Sequence, residues 1–254
     1  DLHRRRHSFP TRRSSDLVLP SYVKQRASLI QATTLSNYPA GQPMVGKAEK
    51  QVALNEGVRM TAAAPSADAT SQLAVVDAAG NAISMTTTNN LNFGSRLLVQ
   101  GYILNNAMTN FADAPKPGEV SPNKMEAGKR PVTSMAPTMV FNATTGALEA
   151  VVGSPGGSAI IQYVTKTLLG LVDWRLDIQQ AIDLPNFGSV GGPVVLEDKR
   201  FAPPTLAALR ARGAEVREQA LTSGLQAIVR KTDNGKATWI SGADPRREGV
   251  VLGE

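Results

Sequence analysis

The sequence TSQLAVVDAAGNAISMTTTNNLNFG, residues 70–94, predicts a β-hairpin around which the rest of the chain is organised. Apolar residues alternate with small or polar ones on both sides of the turn DAAGN (77–81), which is the pattern of two antiparallel strands. The alternating apolar positions are Leu73, Val75, Ile83 and Met85. Because a hairpin closed at this turn sets the start of one strand beside the end of the other, we expect Thr70 to lie opposite Thr88.

Two interpretations fit a threonine at the start of this strand. If the peptide bond before Thr70 is cleaved, the new α-amino group lies within reach of the hydroxyl of the same residue. Such an amine is partly neutral near pH 7 and can accept the hydroxyl proton, and Thr88 would orient and polarise the nucleophile from the neighbouring strand. The alternative is a threonine-rich strand without catalytic function, because threonine is favoured on pleated, half-buried surfaces.

Composition excludes several other classes of function. The chain has 254 residues, 42% of them hydrophobic, and its mean hydropathy is −0.15, so it is long enough for one large core. No run of 18 apolar residues occurs, and no membrane span is expected. The sequence has no cysteine, which excludes disulfides and thiolate metal sites, and its only histidines are His3 and His7. A histidine metal site or a Ser-His-Asp triad is therefore not expected.

The basic charge of the chain is concentrated at its start. The formal net charge is +6, and residues 1–17 contribute +3 of it. The rest of the chain contains 22 basic and 19 acidic residues, which is an ordinary surface balance, and no nucleic-acid partner is expected. Residues 1–17 are rich in Arg and Ser and resemble translated adapter sequence, so we interpret them as a non-native tail, with a genuine basic tail as the alternative. A signal peptide requires an apolar segment after its basic residues, and none follows these arginines.

A second candidate functional segment consists of a strand, a glycine-rich loop and a helix. Residues 148–152 predict a strand, GSPGGS (153–158) a loop, and the following residues a helix with Ser158 as its N-cap. The apolar face of that helix is expected to contain Ile160, Ile161, Val164, Leu168 and Leu171. Backbone N–H groups converge in such a loop with the positive end of the helix dipole, and together they bind anions. A phosphate is not indicated, because Ala159 and Ile160 stand where a P-loop has its lysine.

The remaining sequence predicts scaffold elements. Helices are expected at 19–30, 178–183 and 205–212, the last followed by Gly213, with strands at 138–142, 193–197, 225–230 and 236–241. The last two strands pair across Asp233-Asn234-Gly235.

Several blocks in order give the chain a family resemblance. They are GKRPVTSMAPT (128–138), VVGSPGGSAII (151–161), LDIQQAIDLPNFG (176–188) and SGADPRREGVVLG (241–253). With the hairpin, they resemble the small subunit of the γ-glutamyltranspeptidase family, which belongs to the N-terminal-nucleophile hydrolases. The resemblance implies an α+β fold, a four-layer αββα sandwich truncated at its N-terminal side. It also implies that residues 18–69 are the end of the large subunit with an exposed linker, and that residues 70–254 are the small subunit.

The resemblance implies catalytic roles for four residues. A precursor of this kind cleaves itself before a threonine, here between Ala69 and Thr70. Thr70 then attacks an amide carbonyl, Thr88 supports its hydroxyl, and Gly156 and Gly157 form the oxyanion hole.

The resemblance also implies a substrate site, with two departures from the family pattern. Asn90 contacts the substrate, and Thr133 with Ser134 match a pair of hydroxyls that bind its α-carboxylate. The positions that grip the α-ammonium group, usually Gln or Glu and then Asp, are Ala107 and Asn110 in this chain. The neutral Asn110 is expected to bind the α-ammonium group more weakly, because a charge-assisted hydrogen bond is about twice as strong as a neutral one.

The function expected from the resemblance is transfer or hydrolysis of γ-glutamyl amides of the glutathione type, with no cofactor and no metal. The expected partners are this substrate and the large-subunit segment of the same precursor, which forms a heterodimer with the small subunit after cleavage. The chain alone is expected to be inactive, and its location is expected to be periplasmic or secreted. Residues 112–129 are either a lid over the pocket or a plain connector. Alternatives are a family acylase for a cephalosporin- or glutaryl-type amide, and a non-catalytic relic or binding protein.

Overall fold

The computed structural model describes residues 18–33, 41, 69–112, 123–189, 192–233 and 235–253. Its strands are β1 (Thr70–Val76), β2 (Ala82–Thr88), β3 (Leu98–Val99), β4 (Tyr102–Ile103), β5 (Thr138–Phe141), β6 (Leu148–Gly153), β7 (Phe187–Gly188), β8 (Val194–Glu197), β9 (Val216–Gln219), β10 (Gln226–Asp233) and β11 (Lys236–Ala243). The helices are α1 (Pro20–Ala27), α2 (Ile160–Val172), α3 (Ile178–Asp183) and α4 (Pro203–Ala211), with 3₁₀ turns at Ala107–Asn110 and Gly157–Ala159. The proposed tail, nearly all of the linker and most of the proposed lid lie outside the described residues.

The hairpin forms with the register expected from the sequence. β1 and β2 pair antiparallel from Thr70 opposite Thr88 to Val76 opposite Ala82. The side chain of Asp77 closes the turn by accepting hydrogen bonds from the backbone N–H and side-chain amide of Asn81, both at 2.8 Å. These bonds lower the pKa of the Asp77 carboxyl. The turn therefore fixes which residues meet at the far end of the hairpin.

The core lies between a four-stranded sheet and two helices. The strand order in this antiparallel sheet is β11-β10-β6-β5, and β10 and β11 are the hairpin expected across residues 233–235. Buried side chains of β6 and β10 pack against α2 and α3, and the core residues are Ala150, Val152, Ile160, Tyr163, Val164, Ile178, Ile182, Leu221, Leu225 and Ala227. On the opposite face of β6, Val151 is also fully buried, where the β1–β2 hairpin contacts β6 and β10.

The hairpin turns its polar face toward the sheet and its apolar face outward. Leu73, Val75, Ile83 and Met85 are between 41% and 52% exposed. On the inner face, the Ser84 hydroxyl donates to the carbonyl oxygen of Val152 at 3.1 Å. The described residues thus form three layers, which are two helices, the four-stranded sheet and the hairpin. A fourth, helical layer over the apolar face of the hairpin is not among them and stays a prediction.

Helix α2 differs in two details from its expected form. Ser158 is not the N-cap, because the chain is already turned as a 3₁₀ helix from Gly157 to Ala159, and Ala159 is the residue before α2. Ile161 was expected on the buried face but is 47% exposed. Leu168 and Leu171 do pack against the core.

The other predicted helices and strands are present, with ends that differ by up to three residues from the expected ones except in helix α3. Helix α3 has the expected bounds, and Asp177 and Gln180 form a capping box at its start. Gly213 follows helix α4 with φ +86°, the left-handed conformation that favours glycine. The strand expected at 193–197 is β8, which pairs antiparallel with β7 and parallel with β9. Among the residues that the structure describes, no helix is long and apolar enough to span a membrane.

Candidate active site

The two threonines at the open end of the hairpin are in direct contact. The hydroxyl of Thr70 donates a hydrogen bond to Oγ1 of Thr88 at 2.9 Å. Both side chains are half-buried where β1 begins and β2 ends. The register of the hairpin alone accounts for this pairing, because the two residues are direct cross-strand partners.

The Thr88 hydroxyl has two further hydrogen-bond partners, and one of them is the carbonyl of the peptide bond between Ala69 and Thr70. It donates to the carbonyl oxygen of Ala69 at 3.3 Å and accepts from the backbone N–H of Asn90 at 2.8 Å. A hydroxyl offers one donor and two acceptor positions, so all of its capacity is used. The arrangement fixes the hydroxyl of Thr70 and polarises the carbonyl of the peptide bond that Thr70 follows.

Asn90 links this end of the hairpin to the segment that follows it. Asn90 adopts the left-handed conformation with φ 72°, which asparagine tolerates better than most residues. Its side-chain oxygen accepts a hydrogen bond from the Asn110 amide at 3.0 Å, and its own amide donates to Asn106 at 3.2 Å. The structure therefore brings Asn110 next to Asn90, as a neutral amide pair. Ala107 lies in the same 3₁₀ turn as Asn110.

The glycine loop follows directly from the end of β6. Gly156 and Gly157 have φ values of +137° and +56°, which side chains rarely allow. A Cβ on Gly156 would lie 2.4 Å from the ring of the buried Tyr163, so a side chain there also clashes with the core. Gly157, in contrast, is exposed. Its position fits a loop whose backbone faces a ligand.

Of the two predicted carboxylate-binding residues, Ser134 is hydrogen-bonded to this loop. It donates to the carbonyl oxygen of Gly157 at 2.6 Å. Thr133 is exposed, and its hydroxyl accepts a local hydrogen bond from the backbone N–H of Met135 at 3.1 Å. The predicted residues thus form two groups, one around Thr88 and one around Gly157.

Gln72 brings the hairpin and the end of β6 together. It lies on the inner face of β1, where its amide accepts from Thr86 at 2.6 Å and donates to Ser84 at 3.2 Å. A Cβ on Gly153 would lie 2.3 Å from the Gln72 amide, so the absence of a side chain at Gly153 lets the strands approach. Because Gly153 is the last residue of β6 and the first residue of the glycine loop, the loop begins at the end of the hairpin where Thr70 lies.

Sequence reasoning missed a buried charged cluster at the end of helix α3. Lys166, only 1% exposed, donates to the carbonyl oxygens of Ile182 and Leu184, each at 2.9 Å. Burial lowers the pKa of Lys166 to about 8, and the positive charge of Arg246 acts in the same direction. No sequence pattern predicted this burial, because both carbonyls lie at the end of a different helix.

Arg246 completes the cluster. Its guanidinium donates to both carboxylate oxygens of Glu197, at 2.7 and 2.8 Å, and to Oδ1 of Asp244 at 3.1 Å. Burial raises the pKa of Glu197, but the hydrogen bonds from Arg246 and from the backbone N–H of Asn186 outweigh it, so that pKa lies below its usual value. The only sequence signal was the quoted block 241–253, to which Asp244 and Arg246 belong.

Comparison with known proteins places these features in a family context. Residues 6–254 match the sequence model of the family described as Gamma-glutamyltranspeptidase. A glutathione hydrolase proenzyme from Escherichia coli (strain K12) is 31% identical over 226 residues, which are 85% of this chain and 38% of that protein. An acylase ACY 1 proenzyme from Pseudomonas sp. (strain SE83) is 32% identical over 236 residues, 90% of this chain and 37% of that protein. The chain thus spans about two fifths of the length of these curated relatives.

Solved structures show the same likeness. A mutant of the Helicobacter pylori gamma-glutamyltranspeptidase matches with a TM-score of 0.63 and 30% identity, over 69% of this chain and 99% of that chain. A cephalosporin acylase from Bacillus halodurans matches with a TM-score of 0.74 over 95% of this chain and 39% of that chain. At 22% identity, the second likeness concerns the fold alone.

Proposed function

Because the chain belongs to the γ-glutamyltranspeptidase family, we propose that it forms the catalytic part of an enzyme that transfers or hydrolyses γ-glutamyl groups of glutathione-type amides. The nucleophile in this proposal is Thr70, which gains a free α-amine when the precursor cleaves itself. The observation that carries the proposal is the bonding of Thr88, whose hydroxyl accepts from Thr70 and donates to the carbonyl of Ala69.

The first step of self-cleavage uses these contacts. Oγ1 of Thr70 attacks the carbonyl carbon of Ala69, the C–N bond between the two residues breaks, and the nitrogen takes up the hydroxyl proton. The hydrogen bond from Thr88 stabilises the negative charge that develops on the Ala69 oxygen. Water then hydrolyses the resulting ester and leaves Thr70 with a free amine and a free hydroxyl.

In turnover, the α-amine of Thr70 accepts the proton of its own hydroxyl while Oγ1 attacks the amide carbonyl of the substrate. The amine returns this proton to the departing nitrogen, and water or an acceptor amine later takes the acyl group. Backbone N–H groups of Gly156 and Gly157 bind the oxyanion, and losing one such donor typically costs about 3–4 kcal/mol of transition-state stabilisation.

Substrate recognition in this proposal uses the residues around both groups. Thr133 and Ser134 bind the α-carboxylate, and Asn90 with Asn110 lies where the α-ammonium group binds. The neutral Asn110 is the observation behind the acylase alternative, but the comparisons do not favour that alternative over the γ-glutamyl function.

The proposed partner is the large-subunit segment of the same precursor. It supplies the fourth, helical layer over the exposed apolar face of the hairpin, where Leu73, Val75, Ile83 and Met85 lie. Without it, the chain is expected to be inactive. A periplasmic or secreted location is proposed from the family likeness.

Mass spectrometry of the purified complete proenzyme tests the proposal. The expected result is a fragment that starts TSQLAVV, which is cleavage between Ala69 and Thr70. A Thr70→Ala proenzyme is the control and should stay uncleaved. An uncleaved wild-type enzyme that still turns over γ-glutamyl amides would contradict the proposal, because Thr70 would then have no free amine.

A further inference from the structure

The fully buried hydroxyl of Ser154 connects the glycine loop to a distant segment by hydrogen bonds. Ser154 lies between the end of β6 and Pro155-Gly156-Gly157, and its side chain has no exposed surface. Its hydroxyl accepts a hydrogen bond from the backbone N–H of Gly224 at 3.2 Å and donates to the carbonyl oxygen of Pro155 at 2.6 Å. The direction in which the chain leaves β6 therefore depends on the position of Gly224.

Gly224 can approach the loop only because it lacks a side chain. A Cβ there would lie 2.6 Å from Cγ of Pro155 and 2.7 Å from Cδ of Arg247. Gly224 does not adopt a left-handed conformation, so the requirement for glycine at this position is one of space. An added methyl group would push directly on the residue before Gly156.

Asp244 fixes the segment that contains Gly224. Its Oδ2 accepts hydrogen bonds from the hydroxyl of Ser223 and, at 3.2 Å, from the backbone N–H of Leu225. Its Oδ1 accepts from the backbone N–H of Arg246 at 3.0 Å and from the Arg246 guanidinium at 3.1 Å. Asp244 and Ser223 are at most 1% exposed. Both neighbours of Gly224 are thus tied to one buried carboxylate.

We propose that Asp244, Ser223, Gly224 and Ser154, together named the loop anchor, position the glycine loop so that Gly156 and Gly157 present their N–H groups to the oxyanion. This inference rests on the proposed function, because it assumes that these two glycines bind the oxyanion. All four residues are buried and act through the loop, so they are positioning residues. If the four residues had only a structural role, their variants would lose stability while kcat stayed unchanged.

The experiment compares the mature enzymes obtained from the complete wild-type proenzyme and from its two separate variants, Ser154→Ala and Gly224→Ala. Both variants are expected to lower kcat about tenfold or more, with KM within about twofold of wild type, because the anchor acts on the transition state. The second readout is affinity for an alkyl boronic acid analogue of the acyl group. Thr70 Oγ1 adds to its boron, the hydroxyl proton passes to the α-amine, and the tetrahedral boronate occupies the oxyanion hole. Its affinity should fall by the same factor as kcat.

Thr167→Val is the matched control. Thr167 is also fully buried, and its hydroxyl donates to the carbonyl of Tyr163 at 3.0 Å inside α2. This isosteric change should lower Tm to an extent similar to Ser154→Ala while kcat and boronate affinity stay near wild type.

The outcomes separate this inference from the proposed function. Variants of Ser154 and Gly224 that lose Tm but keep kcat and boronate affinity overturn the inference while the proposed function stands. If Ser154→Ala does not fold, Gly224→Ala gives the same decision, because it removes no hydrogen-bonding group of the anchor. A wild-type protein, prepared from the complete proenzyme, that shows neither turnover nor a boronate adduct at Thr70 overturns the proposed function and the inference together.

Discussion

Replacing Thr88 by valine should slow self-cleavage before Thr70 while leaving the hairpin intact. Valine keeps the shape and the strand preference of threonine but removes its hydroxyl. That hydroxyl accepts from Thr70 at 2.9 Å and donates to the Ala69 carbonyl at 3.3 Å, so the nucleophile loses its orientation and the carbonyl loses its polarising donor.

The magnitude follows from these two contacts. A typical hydrogen bond contributes about 0.5–1.5 kcal/mol, so the loss of both corresponds to about 1–3 kcal/mol, or about 5- to 150-fold in rate. The measurement is the rate at which the fragment starting at Thr70 appears after the proenzyme is refolded, followed by mass spectrometry.

Two companion variants make this result specific. Thr88→Ser keeps the hydroxyl and should cleave at a rate near wild type. Thr86→Val removes a hydroxyl from the same face of β2, where it donates to Gln72 at 2.6 Å, and should leave the cleavage rate unchanged. A Thr88→Val proenzyme that cleaves as fast as Thr86→Val would refute the reasoning.

Three further changes have defined outcomes. Gly157→Val should lower kcat at least about 10²-fold with an unchanged circular dichroism spectrum, because a β-branched side chain blocks the oxyanion donors, and a near-normal kcat would remove the loop from the site. The wild-type enzyme should be a poor γ-glutamyl transferase, and Ala107→Gln with Asn110→Asp should raise kcat/KM for a γ-glutamyl anilide relative to a glutaryl anilide; a strong wild-type preference for the γ-glutamyl compound would contradict this. The pKa of Lys166 is about 8 in the folded protein and about 10.5 when unfolded, so the free energy of unfolding should rise between these pH values by on the order of 3 kcal/mol. Lys166→Met should abolish that rise in urea titrations, and an equal rise in both proteins would show that Lys166 is not its source.

Local patterns in the sequence were enough to predict the hairpin and the pairing of its threonines. The turn 77–81 fixes the register, and the register alone sets Thr70 opposite Thr88. The same holds for helix α3 and for the β10–β11 hairpin, whose boundaries depend on capping and turn residues within a few positions. Alternation did not indicate which face of the β1–β2 hairpin is inside. The inner face is the polar one, where Ser84 donates to Val152 of β6, a partner far away in sequence.

The features that sequence reasoning missed are those created by distant segments. Lys166 looks like an ordinary polar position on a helix, and its burial requires the end of α3 to supply two carbonyl groups. The Ser154 contact with Gly224 joins residues 70 positions apart. The Ser158 cap was wrong for a local reason, since a 3₁₀ turn begins before it.

The central claim is that Thr70 carries the acyl group during turnover. The most direct measurement is to quench the mature enzyme during turnover of a γ-glutamyl anilide and to map the modified peptide by mass spectrometry. The account predicts a mass increase of one acyl group on the peptide that begins with Thr70, and no such increase with an uncleaved proenzyme. An acyl group on any other residue, or full turnover by a Thr70→Ala enzyme, would contradict it.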